Sequence, residues 1–550
     1  MALHATTIAL TLWLGVTLIC AQTPAPAAAP ATIRGHVVAA DTGQPLRKAR
    51  LRLTQNEPIA PGARVFREPR SAPTDMDGAF EFTDVAPGRY TLSASKAAYV
   101  DQTWAPSQSS EPFKPLEVRA GQLLDRVDFS LQRGGLITGR VVDEFGEPLS
   151  NLHVAAMQAR INNGKRDLSE MNGATTDDLG EFRMFGLTPG QYYVKAVWRR
   201  AGFSVEPAPP DRTGYPETYF PGTINVDDAQ RLTVRAGQTI EGLAMALSPV
   251  GTARVEGTVT DVNGKPFAAV GLMAMRTDGN SGTTMGAQVR PDGTFVIASL
   301  IPGDYILRAL PSPPRKEMAT LKLTVGTEDI KDLRLVAVPP SIITGRVIVD
   351  PAQAQSLPKP LMLAAMPDDG QFFANWQPDR VADDFTFEIQ AQAGRHRINW
   401  MNLAPGWIIR TIRINNVDVT DDAFEVKPGE NLSGIDVELS NRSSAIAGAV
   451  SGAGGGDAAK DSTVILFPAD SKRWRPNSRY MRIAKTDAEG RFKLTGLAPA
   501  SYSIVAVEKL DTPGQWTDPE FLQKVSLRAT TVTVMEGETR TIDLRVATGY

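Results

Sequence analysis

The stretch GEFRMFGLTPGQYYVKA, Gly180 to Ala196, decides how this chain is read, because its formula is written four times. Near-copies stand at GAFEFTDVAPGRYTLSA (Gly78 to Ala94), GTFVIASLIPGDYILRA (Gly293 to Ala309) and GRFKLTGLAPASYSIVA (Gly490 to Ala506). Each places a glycine turn two residues before a Phe that starts a strand. Each then runs through Leu or Val to a Pro-Gly (Pro-Ala in the last copy) and a tyrosine: Tyr90, Tyr192, Tyr305 or Tyr502. The Leu or Val is expected in a core, with Pro-Gly turning the chain from one sheet to another. The tyrosine is expected to bury its ring and bond its hydroxyl to nearby backbone, as in a tyrosine corner. The formula reads as a folding device, not as chemistry.

Working outward, an opening strand of the form I-x-G-x-V precedes each copy: TIRGHVV, LITGRVV, ARVEGTV, IITGRVI and AIAGAVS, with marker glycines Gly35, Gly139, Gly257, Gly345 and Gly448. In the first three a turn of the type Asp/Asn-Gly-x-Pro follows, so the chain reverses into an alternating strand with one buried face. A glycine turn and a last strand close each copy, as in VRAGQTIEGLAMAL and VMEGETRTIDLRV. Short strands, dense turn chemistry and the near absence of helical periodicity predict an all-β fold. The expectation is a tandem array of about five antiparallel β-sandwich domains: residues 32–132, 136–248, 252–338, 341–440 and 444–547. The fourth copy departs most. DDFTFEIQAQAGRHRINW replaces the tyrosine by His396, and the segment from Met401 to Asp421 has no counterpart elsewhere, so its register stays open.

These motifs together resemble the carboxypeptidase regulatory-like domain, a transthyretin-like sandwich often grouped with carbohydrate-binding-like folds. In the second copy YPETYFPGTINVDDAQRLTVRAGQ (Tyr215 to Gln238) is similar to a segment of multi-domain secreted bacterial members. The resemblance implies the fold. It implies no peptidase activity, because in metallocarboxypeptidases the domain accompanies a separate catalytic domain.

The chain has 550 residues, 42% hydrophobic and 22% charged, with net charge −3, as folded protein does. No block of like charge offers a nucleic-acid surface. The first twenty residues, MALHATTIALTLWLGVTLIC, read as a secretory signal ending near Ala21, with a Pro/Ala linker over 22–31. The mature chain would then lack cysteine, and with it any disulfide. No later run is long enough to span a membrane as a helix. A secreted or periplasmic location is expected.

Chemistry is sparse. His36, His153 and His396 lie in strands of different copies and are read as facing solvent; three scattered histidines make a poor zinc set. Asp75, Asp77, Asp177 and Asp178 lie in turns whose spacing is wrong for a calcium loop, so hairpins are expected. No nucleophile elbow or phosphate loop is found. No catalytic, metal or cofactor residue is assigned, and no cofactor is expected. The remaining candidates are aromatics outside the repeated core positions: Tyr215, Tyr219 and Phe220; Phe372, Phe373 and Trp376; Trp474 and Tyr480. They could stack on sugar rings, or plug sandwich ends and the joints between domains. The expected function is a non-enzymatic envelope scaffold or display module, with polysaccharide binding through those rings as the alternative. Polysaccharide and envelope proteins are the partners in view. Linkers such as LQRGGL and VAVPPSI leave little slack, so a semi-rigid rod is expected.

Overall fold

The computed structural model describes residues 29–56, 68–104, 115–162, 164–198, 213–267, 271–277, 284–311, 316–357, 359–368, 378–404, 406–475 and 478–549. The segment expected to be a signal, and most of the expected linker after it, lie outside this set.

The opening strands are Ala31–Ala39, Gly135–Val142, Ala253–Asp261, Ser341–Ile348 and Ser444–Ser451. Each occupies an interior place in its sheet. On one side it pairs antiparallel with the Phe-bearing strand of its own repeat. On the other it pairs parallel with that repeat's closing segment. The sheets are otherwise antiparallel. The parallel pair is possible because the closing strand arrives by a crossover from the opposite sheet, not by a hairpin.

One register recurs. Gly35 faces Phe80, Gly139 faces Phe182, Gly257 faces Phe295, Gly345 faces Phe387 and Gly448 faces Phe492. A Cβ on any of these glycines would sit well inside contact distance of a carbonyl oxygen of the closing segment. The marker glycines therefore let the parallel strand approach, which no other residue permits. The same pairing gives the fourth repeat its register: Phe387, not Phe385, is the counterpart of the conspicuous Phe of the other copies.

The second sheet is built on the antiparallel pair formed by the tyrosine strand and the strand after the first turn. Examples are His153–Asn162 with Gly190–Val197 and Thr463–Pro468 with Ala500–Val507. Val85, Leu187, Leu300 and Leu497 are all buried, and after each the chain crosses from the first sheet to the second. Between the sheets of the second repeat lie Ile137, Phe182, Tyr192, Val194 and Met245; equivalent clusters fill the later repeats.

Two compact units emerge from packing. One holds the strands from Ala31 to Leu131, the other everything from Gly135 onward. In the second unit the fifth repeat carries an insertion with a helix, Pro519–Ser526. Pro519 fits the first turn and Asp518 caps the helix by accepting from the Glu520 amide at 3.1 Å. Its Phe521, Leu522 and Val525 cover the outer face of the second sheet on Ile465, Phe467 and Val505.

That insertion also meets the second repeat. Ile161 N–H donates to the Pro513 carbonyl at 2.9 Å, and Gly164 N–H to Thr517 Oγ1 at 3.2 Å. Arg166 reaches Glu520 at 3.0 Å. Gly514, at φ +80°, has no room for a Cβ against the Ile161 carbonyl. The expected rod does not describe this unit, because repeats far apart in sequence touch.

Candidate binding surface

The repeated tyrosines are spent on folding. Tyr90, Tyr192, Tyr305 and Tyr502 each donate to the carbonyl four residues back, at 2.8, 2.7, 2.8 and 2.6 Å. Burial pushes the Tyr192 phenol up, and does the same to Tyr502 more strongly. In the fourth repeat His396 takes the same place, 4% exposed, with Nδ1 3.0 Å from the Gly394 carbonyl. The expectation that this histidine faces solvent is corrected: its position is the ring socket of the repeat. His153 is also largely covered, its Nε2 2.8 Å from Glu170, while His36 is exposed as expected.

Asp75 and Asp177 each use one carboxylate oxygen to close their own turn. Asp75 Oδ1 accepts from the amides of Asp77 and Ala79, and Asp177 Oδ1 from those of Leu179 and Glu181. These are Asx turns closing hairpins. Among the described residues no group of three His, Cys, Asp or Glu is placed to hold a metal. An open cleft of about 740 Å³ lies over the fourth repeat's first sheet, but its Arg346 and Asp436 are paired with each other at 2.8 Å.

The candidate aromatics separate into three groups. Phe372, Phe373 and Trp376 lie outside the described residues. Tyr219 and Tyr480 are each 4% exposed, their ring faces taken up inside the protein. Tyr219 pairs opposite Lys195 on the second repeat's outer sheet and packs on Ala155, Met157 and Leu168. Burial, then the charges of Glu217 and Asp167, hold its phenol strongly protonated. Beside it Lys195 and Glu217 pair at 3.3 Å with side chains only 5% and 14% exposed. Phe220 is half-buried against the same repeat's core.

Tyr480 belongs to a joint between the fourth and fifth repeats, and Trp474 packs within the fifth. The Tyr480 hydroxyl donates to Asp421 Oδ2 at 2.8 Å, and the Arg479 guanidinium takes Asp421 Oδ1 at 2.9 Å while lying 4.8 Å from the Tyr480 ring centre. Arg475 bonds both the Asp421 carbonyl and Asp422 Oδ1, at 3.0 and 2.8 Å. Arg410 adds a contact to Glu536 at 3.2 Å. Asp421 closes the segment of the fourth repeat that had no counterpart. That segment adds the strand Ile408–Ile414 to the first sheet and presents the acceptors that the fifth repeat's arginines use. Trp474 donates its indole N–H to the Pro468 carbonyl at 2.8 Å and rests edge-on against Phe467.

Tyr215 sits between the two states. It is half-buried, yet its ring stacks on Trp198 at 5.5 Å and 22°, and Trp198 is 42% exposed. Trp198 was not among the sequence candidates.

With this geometry in place the architecture is that of β-sandwiches in tandem. The model of the carboxypeptidase regulatory-like domain matches residues 32–132 and 136–247, so the first two repeats are domains of that family. No curated protein matches the sequence. Among solved structures, the Bacillus anthracis TIE protein is 11% identical, with 83% of this chain and 71% of that one covered at a TM-score of 0.16. A streptococcal ancillary pilin is 13% identical over 56% of this chain and 99% of its own, TM-score 0.20. The minor pilin GBS52 of Streptococcus agalactiae is 15% identical over 40% and 97%, TM-score 0.20.

Proposed function

We propose that the chain is a non-catalytic, extracytoplasmic scaffold made of five sandwiches with the boundaries read from the sequence. The observation that carries this reading is the use to which the insertions are put. Residues that could have lined a site instead join repeats: Asp421 with Arg479 and Tyr480, and Ile161 with Pro513. A chain that spends its variable segments on internal joints is built to hold its surfaces in fixed relation. The signal-like first twenty residues support an extracytoplasmic location.

Calorimetry of the full chain tests the scaffold. The repeats from Gly135 onward are expected to melt together, and Asp421→Ala to release the fifth repeat as an earlier, separate transition. A wild-type protein whose repeats melt one by one would overturn the reading. Location is tested by N-terminal sequencing of protein from cell fractions. An intact Met1 on cytoplasmic protein would refute that part.

A further inference from the structure

We propose that Trp198, Tyr215 and Glu144 of the second repeat form a ledge that binds a neutral polysaccharide chain. This site is independent of the joints on which the scaffold reading rests.

Trp198 is the one exposed tryptophan among the described residues. It stands directly after the strand Gly190–Val197, whose last four residues are all buried. What sets this indole apart from other exposed apolar side chains is that it is stacked on a second ring whose hydroxyl holds a carboxylate. The ring is not loose. It stacks on Tyr215, and Tyr215 is held from both sides in sequence: Thr213–Gly214 pairs with Val250–Gly251, and Thr218–Tyr219 pairs with the strand carrying Ala196. A platform fixed before binding loses little entropy when the ligand arrives.

The polar side of the ledge is fixed as well. The Tyr215 hydroxyl donates to Glu144 Oε2 at 3.2 Å, which positions a carboxylate at the edge of the stacked rings. Glu144 and Phe145 project from a turn that Asp143 locks, its Oδ1 accepting from the amides of Phe145 and Glu147 at 2.9 and 2.8 Å. Phe145 is 83% exposed.

A flat aromatic face beside an anchored acceptor matches the chemistry of a pyranose. Its C–H face is apolar and covers a ring, while its hydroxyls donate to a carboxylate through charge-assisted hydrogen bonds. The carboxylate disfavours acidic polymers, which selects neutral ones. An apolar peptide would ask for an enclosed groove, and would gain nothing from Glu144.

The test uses the full chain with insoluble cellulose, β-1,3-glucan and starch, and with their soluble hexasaccharides by tryptophan fluorescence. Saturable binding to at least one, unchanged by added salt, is expected. Trp198→Ala should weaken it at least tenfold, Glu144→Gln severalfold, and Trp198→Tyr should recover part of the loss. Phe185→Ala, which removes an exposed ring elsewhere on the same repeat, should leave affinity unchanged. No binding to any neutral polymer, or binding that survives Trp198→Ala, overturns the proposal. So does self-association that Trp198→Ala abolishes, which would assign the ledge to a second copy. The melting behaviour of the joints should be the same in every variant, so failure here leaves the scaffold reading untouched.

Discussion

The hydroxyl of Tyr502 donates a 2.6 Å hydrogen bond to the carbonyl oxygen of Ala498, across the Pro that carries the chain from one sheet to the other. The same bond closes the turn in three other repeats, so the ring fills the core while the hydroxyl satisfies a carbonyl at its edge. Tyr192→Phe keeps the packing and leaves the Thr188 carbonyl one partner short, a loss of about 1 kcal/mol. Tyr192→Ala adds a cavity and should cost about 3–5 kcal/mol. Urea unfolding followed by tryptophan fluorescence separates the two.

Gly345→Ala forces the opening and closing strands of the fourth repeat apart, since the Ile435 carbonyl occupies the space of the new methyl. A loss of at least about 2 kcal/mol is expected. Gly454→Ala, in an open loop of the fifth repeat, should be neutral in the same unfolding measurement.

Thr176 is 3% exposed, and its hydroxyl donates to the Leu149 carbonyl at 2.7 Å while accepting from the Leu152 amide at 2.9 Å. Thr74 and Thr486 do the same in the first and fifth repeats. The third and fourth repeats have buried Val289 and Val381 at the corresponding place. Thr176→Val preserves shape but strips two backbone groups of their partner, and should cost about 1–3 kcal/mol. Slowed amide exchange at Leu152 in the wild type, lost in the variant, would identify the cause.

Glu217 faces the buried Lys195 ammonium at 3.3 Å. Glu217→Ala removes a carboxylate partner of that largely buried cation and should destabilise the second repeat by up to about 3–5 kcal/mol. Exchanging both residues, Lys195→Val with Glu217→Leu, should restore most of the loss, because Val505 fills the Lys195 position in the fifth repeat. A double variant no more stable than Glu217→Ala would refute this account.

Stability should fall in acid. The carboxyls of Asp292, Asp384 and Asp418 are held below their ordinary value of 3.8, first by the hydroxyls of Thr294, Thr386 and Thr420 and then by the backbone amides of the same residues. For Asp487 the Arg491 amide is the main cause. The unfolded chain thus takes up protons first. The stability these groups give is complete above the ordinary value and is lost as pH falls through the lowered ones. The Tm should drop between about pH 5 and about pH 3, and drop less in Asp418→Asn.

What could be read in advance was local. The Tyr corners, Asx turns and strand starts depend on neighbours within a few residues, so spacing alone exposes them. His396 was misjudged because a polar residue was weighed by type, when its place in the repeat demanded a ring. Which role Tyr480 takes could not be read from spacing, because its acceptor Asp421 is 59 residues away and comes from an insertion unlike any other segment. Trp198 escaped for a geometric reason. It shares parity with the inward Tyr192, Val194 and Ala196, so alternation points it into the core; the strand ends at Val197 and lets it out.

The contact between Arg166 and Glu520 spans 354 positions of chain. During synthesis the hairpin tip at Gly164 emerges long before Thr517 exists to receive it, and the third and fourth repeats are made in between. The bond to Thr517 can therefore form only on a finished chain. A protein missing any internal repeat would leave Gly514 and Ile161 without each other, however well its remaining sandwiches fold. The fit of Gly514 beneath the Ile161 carbonyl is thus a contact that only a chain made through its fifth repeat can close.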